Sequence, residues 1–110
     1  MVDSEIFREM ALSFPGATQQ PHFDKTSFRA NKKIFATLDV EKNLACLMLS
    51  PMDQSVFSSF DKSVIFPVPN KWGLQGATYV ELKRVKKAML KDVLNQAYAK
   101  VISKKKKNKV

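Results

Sequence analysis

The sequence contains few of the residues from which metal sites, disulfides and phosphate-binding loops are built. Its 110 residues include one cysteine, Cys46, one histidine, His22, and three glycines. A single cysteine excludes an internal disulfide, and a single histidine with no acid at ligand spacing gives zinc or iron little to bind. No glycine-rich phosphate loop, nucleophile elbow or kinase motif is present, and the carboxylates are scattered. We therefore expect a protein that is not an enzyme and that uses no metal and no cofactor.

Long hydrophobic runs are also missing. The longest uninterrupted apolar run covers residues 44–49, which is too short to cross a bilayer, so we expect no membrane association. Residues 1–5 lack the basic and apolar regions of a signal peptide, and a lone thiol fits a reducing compartment, which together predict a cytoplasmic protein. Because 45% of the residues are hydrophobic, the chain has enough apolar material for one folded domain.

Acidic residues are almost absent from the last quarter of the chain. Residues 82–110 contain eleven basic residues against one acid, Asp92, a net charge of +10. Residues 1–81 contain eight basic and nine acidic residues, a net charge of −1. The lysine-rich segment 104–110 cannot bury apolar surface and repels itself, so we predict one domain over 1–103 and a disordered tail over 104–110. A cationic element of this kind attracts polyanions or an acidic surface.

Hydrophobic periodicity divides the domain into helices at both ends and a run of strands between them. Helical spacing predicts an amphipathic helix over 4–13 and a long terminal helix over 84–102. Strand patterns cover 26–30, 33–38, 44–49 and 77–82, with a tight turn at 31–32 and a short edge strand within 64–68. Residues 52–60 predict a short helix that buries Met52, Val56, Phe57 and Phe60, and 70–76 predict a loop. This order is typical of an α+β domain with the helices packed on one face of an antiparallel sheet.

Two groups of motifs resemble the signatures of the MmcQ/YjbR-like proteins. The first covers residues 14–18 (FPGAT), 22–29 (HFDKTSFR) and 33–38 (KIFATL), and the second covers 72–78 (WGLQGAT) and 80–82 (VEL) before a terminal helix. Their order and spacing agree from residue 6 to residue 102. The resemblance implies a frataxin-like (CyaY-like) fold, an antiparallel sheet of about five or six strands with the N- and C-terminal helices against one face. It also implies DNA binding through hairpins that act as a double wing.

Three clusters are candidate nucleic-acid-binding sites. The first is the basic start of the terminal helix, which can neutralise phosphates or can be an ordinary solvated helix face. The second is the predicted hairpin tip, whose cations can contact a phosphate backbone or can simply keep a turn soluble. The third is the 70–76 loop, where Trp72 can stack on a base or, as we prefer, can close one end of the core. The candidate residues are Lys83, Arg84, Lys86 and Lys87 in the first cluster, Arg29, Lys32 and Lys33 in the second, and Lys71 and Trp72 in the third.

The leading hypothesis is a small DNA-binding domain that contacts phosphates through the basic hairpin and the C-terminal helix. Base-reading side chains do not cluster on any one element, so low sequence specificity is expected. RNA is another polyanion that the same cations would attract. The alternative hypothesis is a non-enzymatic protein-interaction module whose sheet face or Trp72 loop binds an acidic partner.

Overall fold

The computed structural model describes the backbone of residues 2–107 and the side chains of residues 2–102. Six strands form one antiparallel sheet in the order β1-β2-β3-β4-β6-β5, which confirms the predicted fold class. The helices and strands, in chain order, are α1 (Ser4–Leu12), β1 (Thr18–His22), β2 (Lys25–Ala30), β3 (Lys33–Asp39), β4 (Leu44–Met48), α2 (Pro51–Ser58), β5 (Ile65–Pro67), α3 (Lys71–Leu74), β6 (Ala77–Glu81) and α4 (Lys87–Lys107). No described helix is long and apolar enough to cross a membrane.

The core lies between one face of the sheet and the two terminal helices. Phe7 of α1 packs edge-on against Phe28 of β2, with ring centroids 5.5 Å apart, and both side chains are fully buried. Leu90 and Leu94 of α4 are buried in the same cluster. On the strands the buried residues alternate, so that Leu47 of β4 faces the helices. The remaining strand positions face away from the helices and form the second, open face of the sheet.

The start of α1 and the turn between β2 and β3 both follow from local chemistry. Asp3 caps α1, because its carboxylate accepts a hydrogen bond from the Ile6 amide at 2.8 Å. Asn31 and Lys32 form the tight turn between β2 and β3, with φ angles of 53° and 64°. Two successive left-handed residues are the geometry that matches the twist of a hairpin. The predicted turn at 31–32 is thus confirmed.

The sequence did not predict β1. This strand pairs with β2 at the edge of the sheet, and its sequence, TQQPH, has no buried side chain. Strand recognition from sequence depends on alternating apolar residues, and a polar edge strand that contains proline lacks this signal. Its pairing comes from the tertiary fold, since β1 follows directly on the turn that ends α1.

The helix predicted at 52–60 is present as α2, but the prediction that it buries four apolar residues is wrong. Met52, Val56 and Phe60 are 76%, 50% and 65% exposed, whereas Phe57 packs partly against the core. Gln54 turns toward the body of the protein instead, and its amide nitrogen donates to the Gly73 and Ala77 carbonyl oxygens at 2.8 and 2.9 Å. A polar anchor therefore sets the orientation of α2, and most of its apolar side chains point to solvent.

The segment predicted to be a loop at 70–76 contains the short helix α3. Asn70 caps it, because its side-chain oxygen accepts a hydrogen bond from the Trp72 amide at 2.8 Å. Gly73 lies against the backbone of Val68, just after β5, and a methyl group there would stand 1.7 Å from the Val68 carbonyl oxygen. The asparagine cap was the signal in the sequence that distinguishes a helix start from a loop.

The terminal helix is shifted along the sequence relative to its prediction. It begins at Lys87 rather than at residue 84 and ends at Lys107 rather than at residue 102. Residues 108–110 lie outside the described residues, and so do all side chains from 103 onward. The domain limit at 103 and the disorder of 104–110 therefore stay predictions.

Candidate functional site

The β2–β3 turn, α3 and the second half of α4 meet at one end of the molecule. The Asn31 side-chain nitrogen donates to the Val101 carbonyl oxygen at 3.3 Å, which ties the hairpin tip to α4. Next to this contact is a cavity of about 210 Å³ whose lining includes Lys33, Trp72 and Lys100. The Lys100 ammonium donates to the Leu49 carbonyl oxygen at 3.2 Å. We call this region the hairpin end and define it by Lys32, Lys33, Trp72 and Lys100.

Lys32 stands at the tip of the hairpin in a conformation that favours glycine. Its φ angle is 64°, and a residue with a Cβ atom in the left-handed region costs roughly 1–2 kcal/mol. Asparagine tolerates this region, so Asn31 is an ordinary choice, whereas glycine is the usual residue after it. Lysine at this position presents its ammonium group at the apex of the turn, where its side chain is exposed. Backbone strain of this kind is typical of functional positions.

Arg29 and Lys32 also line a second recess of about 310 Å³ at the β1 edge, together with Thr18 and Gln20. The Arg29 Nε donates to the Ser27 hydroxyl at 3.2 Å, which directs the guanidinium along the open face of the sheet. The three hairpin candidates predicted from sequence therefore lie on one continuous surface around the tip.

Trp72 is exposed, so the preferred interpretation that it closes the core is wrong. Its side chain is 64% accessible to solvent. The start of α3 holds it outside the body of the protein, because close packing of Gly73 on Val68 fixes the helix with Trp72 on its outer side. Lys71, the preceding residue, is exposed as well. An accessible indole beside a lysine keeps base stacking open as a role for Trp72.

A larger groove runs along the open face of the sheet and joins the hairpin end. Its volume is about 540 Å³, and it shares Ile34, Met48, Trp72 and Ala77 with the smaller cavity. Neither set of lining residues contains an aspartate or a glutamate. Asp24 lies in sequence between the lining residues Phe23 and Lys25. Its carboxylate is 3.3 Å from the Lys25 ammonium, and this contact lowers the pKa of Asp24. The groove as a whole is therefore apolar with a cationic margin.

The predicted residues at the start of α4 form a separate group. Lys83, Arg84, Lys86 and Lys87 are exposed, and Arg84 donates to the Ser63 hydroxyl at 2.8 Å. Asp61 lies nearby, where hydrogen bonds from Ser63 and, to a smaller extent, the charge of Arg84 lower the pKa of its carboxyl. A helix rises 1.5 Å per residue, so Lys87 and Lys100 are roughly 20 Å apart along α4. We call these four residues the helix-start group.

The candidate cations are not neutralised by carboxylates within residues 2–102. The two ion pairs found there are Arg8–Glu5 and Lys25–Asp24, and neither contains a candidate residue. Among the side chains of residues 2–102, the predicted cations therefore lie on two separate surfaces, with Lys32 and Lys33 at the hairpin end and Lys83, Arg84, Lys86 and Lys87 in the helix-start group.

Cys46 and His22 both reach the open-face groove. Burial raises the pKa of the Cys46 thiol, which keeps it in its unreactive protonated form at neutral pH. His22 packs edge-on against Phe23, with ring centroids 5.0 Å apart. Within the described residues, no three His, Cys, Asp or Glu side chains lie close enough together to hold a metal ion.

The sequence pointed to a sheet face only in the protein-interaction alternative, and it did not identify the groove on that face or its residues. Tyr79 of β6 pairs with Cys46 of β4 and with Phe66 of β5, so the three side chains share this face. The signal was present in residues 44–49, which are apolar on both sides of the strand. A strand that is apolar on both sides indicates either a second covering layer or an exposed apolar groove, and sequence alone does not distinguish them.

Comparison with known proteins identifies both a family and a fold. The family model YjbR matches residues 12–100. The crystal structure of Deinococcus radiodurans protein DR2400, which carries a DUF419 domain, superimposes with a TM-score of 0.78 at 16% sequence identity. The alignment covers 92% of this chain and 79% of that one, and at this identity it shows a shared fold. None of the curated proteins matches the sequence.

Proposed function

The chain belongs to the YjbR family, and we propose that it is a DNA-binding domain that holds phosphates chiefly through its hairpin end. The observation that carries the proposal is the pair of connected cavities around Trp72, which are bordered by lysines and lined by no carboxylate. An anionic backbone placed at the smaller cavity meets Lys33 and Lys100, and the Asp24 carboxylate stands beside Lys25 at the margin of the larger groove. Each phosphate that a lysine neutralises releases condensed counterions, which favours binding at low salt.

The fixed position of the cations supports the proposal. The hydrogen bond from Asn31 to Val101 holds the tip of the hairpin on α4, and the bond from Lys100 to Leu49 holds a second ammonium at the adjacent cavity. Less side-chain freedom is lost on binding when the charged groups are already oriented. Lys33, which lines the same cavity, completes a set of cations around one recess.

Low sequence specificity follows from how the amide side chains are used. Asn31 donates to Val101, Asn70 caps α3, and Gln54 bridges Gly73 and Ala77. Asparagine and glutamine read adenine edges when their amides are available, and these three amides have structural partners. The proposed contacts are therefore to phosphates, which position a protein on DNA without reading its sequence.

The helix-start group plays the smaller part in this proposal. It lies about 20 Å along α4 from the hairpin end, further than the screening length of about 8–10 Å at physiological salt. Its charge attracts DNA over a short range. Arg84 and Lys86 line a cavity of about 250 Å³ beside the exposed Phe60, but Asp61 lines that cavity as well and places a like charge against a phosphate.

Salt-dependent binding with matched charge reversals tests the proposal. Anisotropy of a labelled duplex is measured for the full chain over a salt series. The variants are Lys32→Glu with Lys33→Glu, and Lys86→Glu with Lys87→Glu, which change the net charge equally. About four phosphate contacts give a slope of log affinity against log salt of roughly −4, and we expect the hairpin pair to reduce that slope by about 2 and the helix-start pair to reduce it less.

A third variant separates the folded domain from the tail. Replacement of Lys104, Lys105, Lys106 and Lys107 by glutamine removes tail charge while the chain keeps its length. Binding that disappears in this variant and survives in the hairpin pair contradicts the proposal, as do equal losses in the two charge-reversal pairs. Absence of binding by the unmodified chain also contradicts it and favours the protein-interaction alternative with an acidic partner.

A further inference from the structure

The open face of the sheet carries aromatic side chains that no described helix covers. Phe23, at the turn between β1 and β2, is 93% exposed, and Trp72 is 64% exposed. Tyr79 is half-buried and lines the same groove, with Phe66 beside it at a ring-centroid distance of 5.8 Å. Phe23, Trp72 and Tyr79 all line the groove of about 540 Å³. Large exposed aromatic residues grouped around a concave surface mark a binding site rather than a packing defect.

The charges around this face select an anionic occupant. Lys33 and Lys100 line the cavity that joins the groove at Trp72, whereas Lys25, which lines the groove on the β2 side, is paired with Asp24. The cavity of about 550 Å³ between α1 and α4 is lined by Lys87 and Lys91 but also by Glu9, and its one aromatic side chain, Phe14, is already stacked on Tyr98. The open face therefore offers exposed aromatic rings and lysines with no carboxylate in the lining, and the other large cavity does not.

We propose that this face binds single-stranded nucleic acid, with unpaired bases stacked on Phe23 and Trp72 and the phosphates directed toward the hairpin end. The inference rests on the proposed function and specifies the strand class that the site prefers. Every base presents a flat π-face to an aromatic ring, so stacking of this kind tolerates any sequence. In a duplex the bases are stacked on one another, so a groove of this size takes bases of a single strand and not a paired helix.

The proposal agrees with the use of the amide side chains described above. Binding that depends on stacking and on phosphate contacts requires no free asparagine or glutamine to read base edges. Binding of bases also accounts for the exposure of Phe23. If no ligand covered this face, the exposed ring would be unfavourable apolar surface. The occupied state covers both rings and leaves the core unchanged.

Tryptophan fluorescence of the full chain tests the inference, because Trp72 is the only tryptophan. The probes are an oligothymidylate of about eight nucleotides, within the usual site size of single-strand binding domains, and a duplex of equal length. We expect the single strand to quench Trp72 and to bind more tightly than the duplex. Quenching that is equal with both probes, or absent with the single strand, overturns the inference.

A matched pair of phenylalanine variants locates the effect. Phe23→Leu removes the exposed ring from the groove, and Phe60→Leu removes a ring of 65% exposure that lines neither of the two connected cavities. Loss of one stacked base weakens binding by about 5-fold to 150-fold. We expect that loss for Phe23→Leu with the single strand, and no change for Phe60→Leu with either probe. Equal effects of the two variants overturn the inference.

The same experiment distinguishes failure of the inference from failure of the proposed function. In one outcome the duplex binds without quenching Trp72, its binding is weakened by Lys32→Glu with Lys33→Glu, and the single strand binds no more tightly. The inference is then wrong, and the proposed function stands. If neither probe binds at low salt, both are wrong.

Discussion

Replacement of Lys32 by glycine should make the protein more stable and at the same time weaken its binding to DNA. Lys32 has a φ angle of 64° at the second position of the hairpin turn, where glycine has no steric penalty. Relief of the left-handed conformation is worth roughly 1–2 kcal/mol. The greater freedom of glycine in the unfolded chain costs about 0.4–1 kcal/mol. The net gain in the free energy of unfolding is therefore about 0.5–1 kcal/mol, which for a domain of this size raises Tm by roughly 2–4 °C.

The loss of binding follows from the same residue. One ammonium group fewer on a phosphate lowers the slope of log affinity against log salt by about 0.9. Thermal unfolding followed by circular dichroism measures the first effect, and duplex anisotropy over a salt series measures the second. Opposite signs for stability and binding are the expected signature of a strained residue that is kept for a function.

Lys32→Gln is the control for this experiment, because it removes the charge and keeps the Cβ atom in the left-handed position. It should lose as much binding as Lys32→Gly and gain no stability. A glycine variant less stable than the unmodified chain would refute the reasoning about strain. A glycine variant with an unchanged salt slope would show that Lys32 contacts no phosphate.

Three further predictions concern the fold that positions the site. Gly73→Ala should lower the free energy of unfolding by about 3 kcal/mol in urea, since the new methyl group would stand 1.7 Å from the Val68 carbonyl oxygen; a loss below about 1 kcal/mol would contradict this contact. Tyr98→Phe should cost about 1 kcal/mol, because the phenol donates to the Pro15 carbonyl oxygen at 2.6 Å, and an unchanged Tm would show that the bond adds nothing. The Cys46 thiol should react slowly with a disulfide reagent, at a rate that still rises beyond pH 9.0, because burial raises its pKa above that ordinary value; a rate that levels off below pH 9.0 would contradict its burial.

The fold was predictable because its strongest patterns are local. The apolar rows of α4 and the alternation along β2 and β3 each identify one element, and the Asn31-Lys32 turn joins two of them. The order of these elements then leaves few arrangements other than helices on one face of an antiparallel sheet. β1 was not predictable in this way, since its polar residues are paired only through the turn after α1 and its place at the sheet edge.

The candidate site was predictable in its chemistry but not in its arrangement. Charge identified Lys32, Lys33 and Lys83 as candidates, and the structure separates Lys83 from the other two by nearly the length of α4. Trp72 was expected in the core because tryptophan is usually buried, and its exposure depends on a contact of Gly73 with the Val68 backbone that no local pattern encodes. Long-range contacts of this kind decide which side chains share a surface, and they are the part that sequence periodicity does not contain.

We expect nucleic acid to meet this protein at the hairpin end. Amide chemical shifts recorded during titration of the full chain with a short duplex at low salt test it residue by residue. We predict that the largest changes occur at the amides of Lys32 and Lys33 and at the indole of Trp72. Changes confined to Lys83–Lys87 or to residues after Ile102, with the hairpin amides unmoved, would contradict the claim.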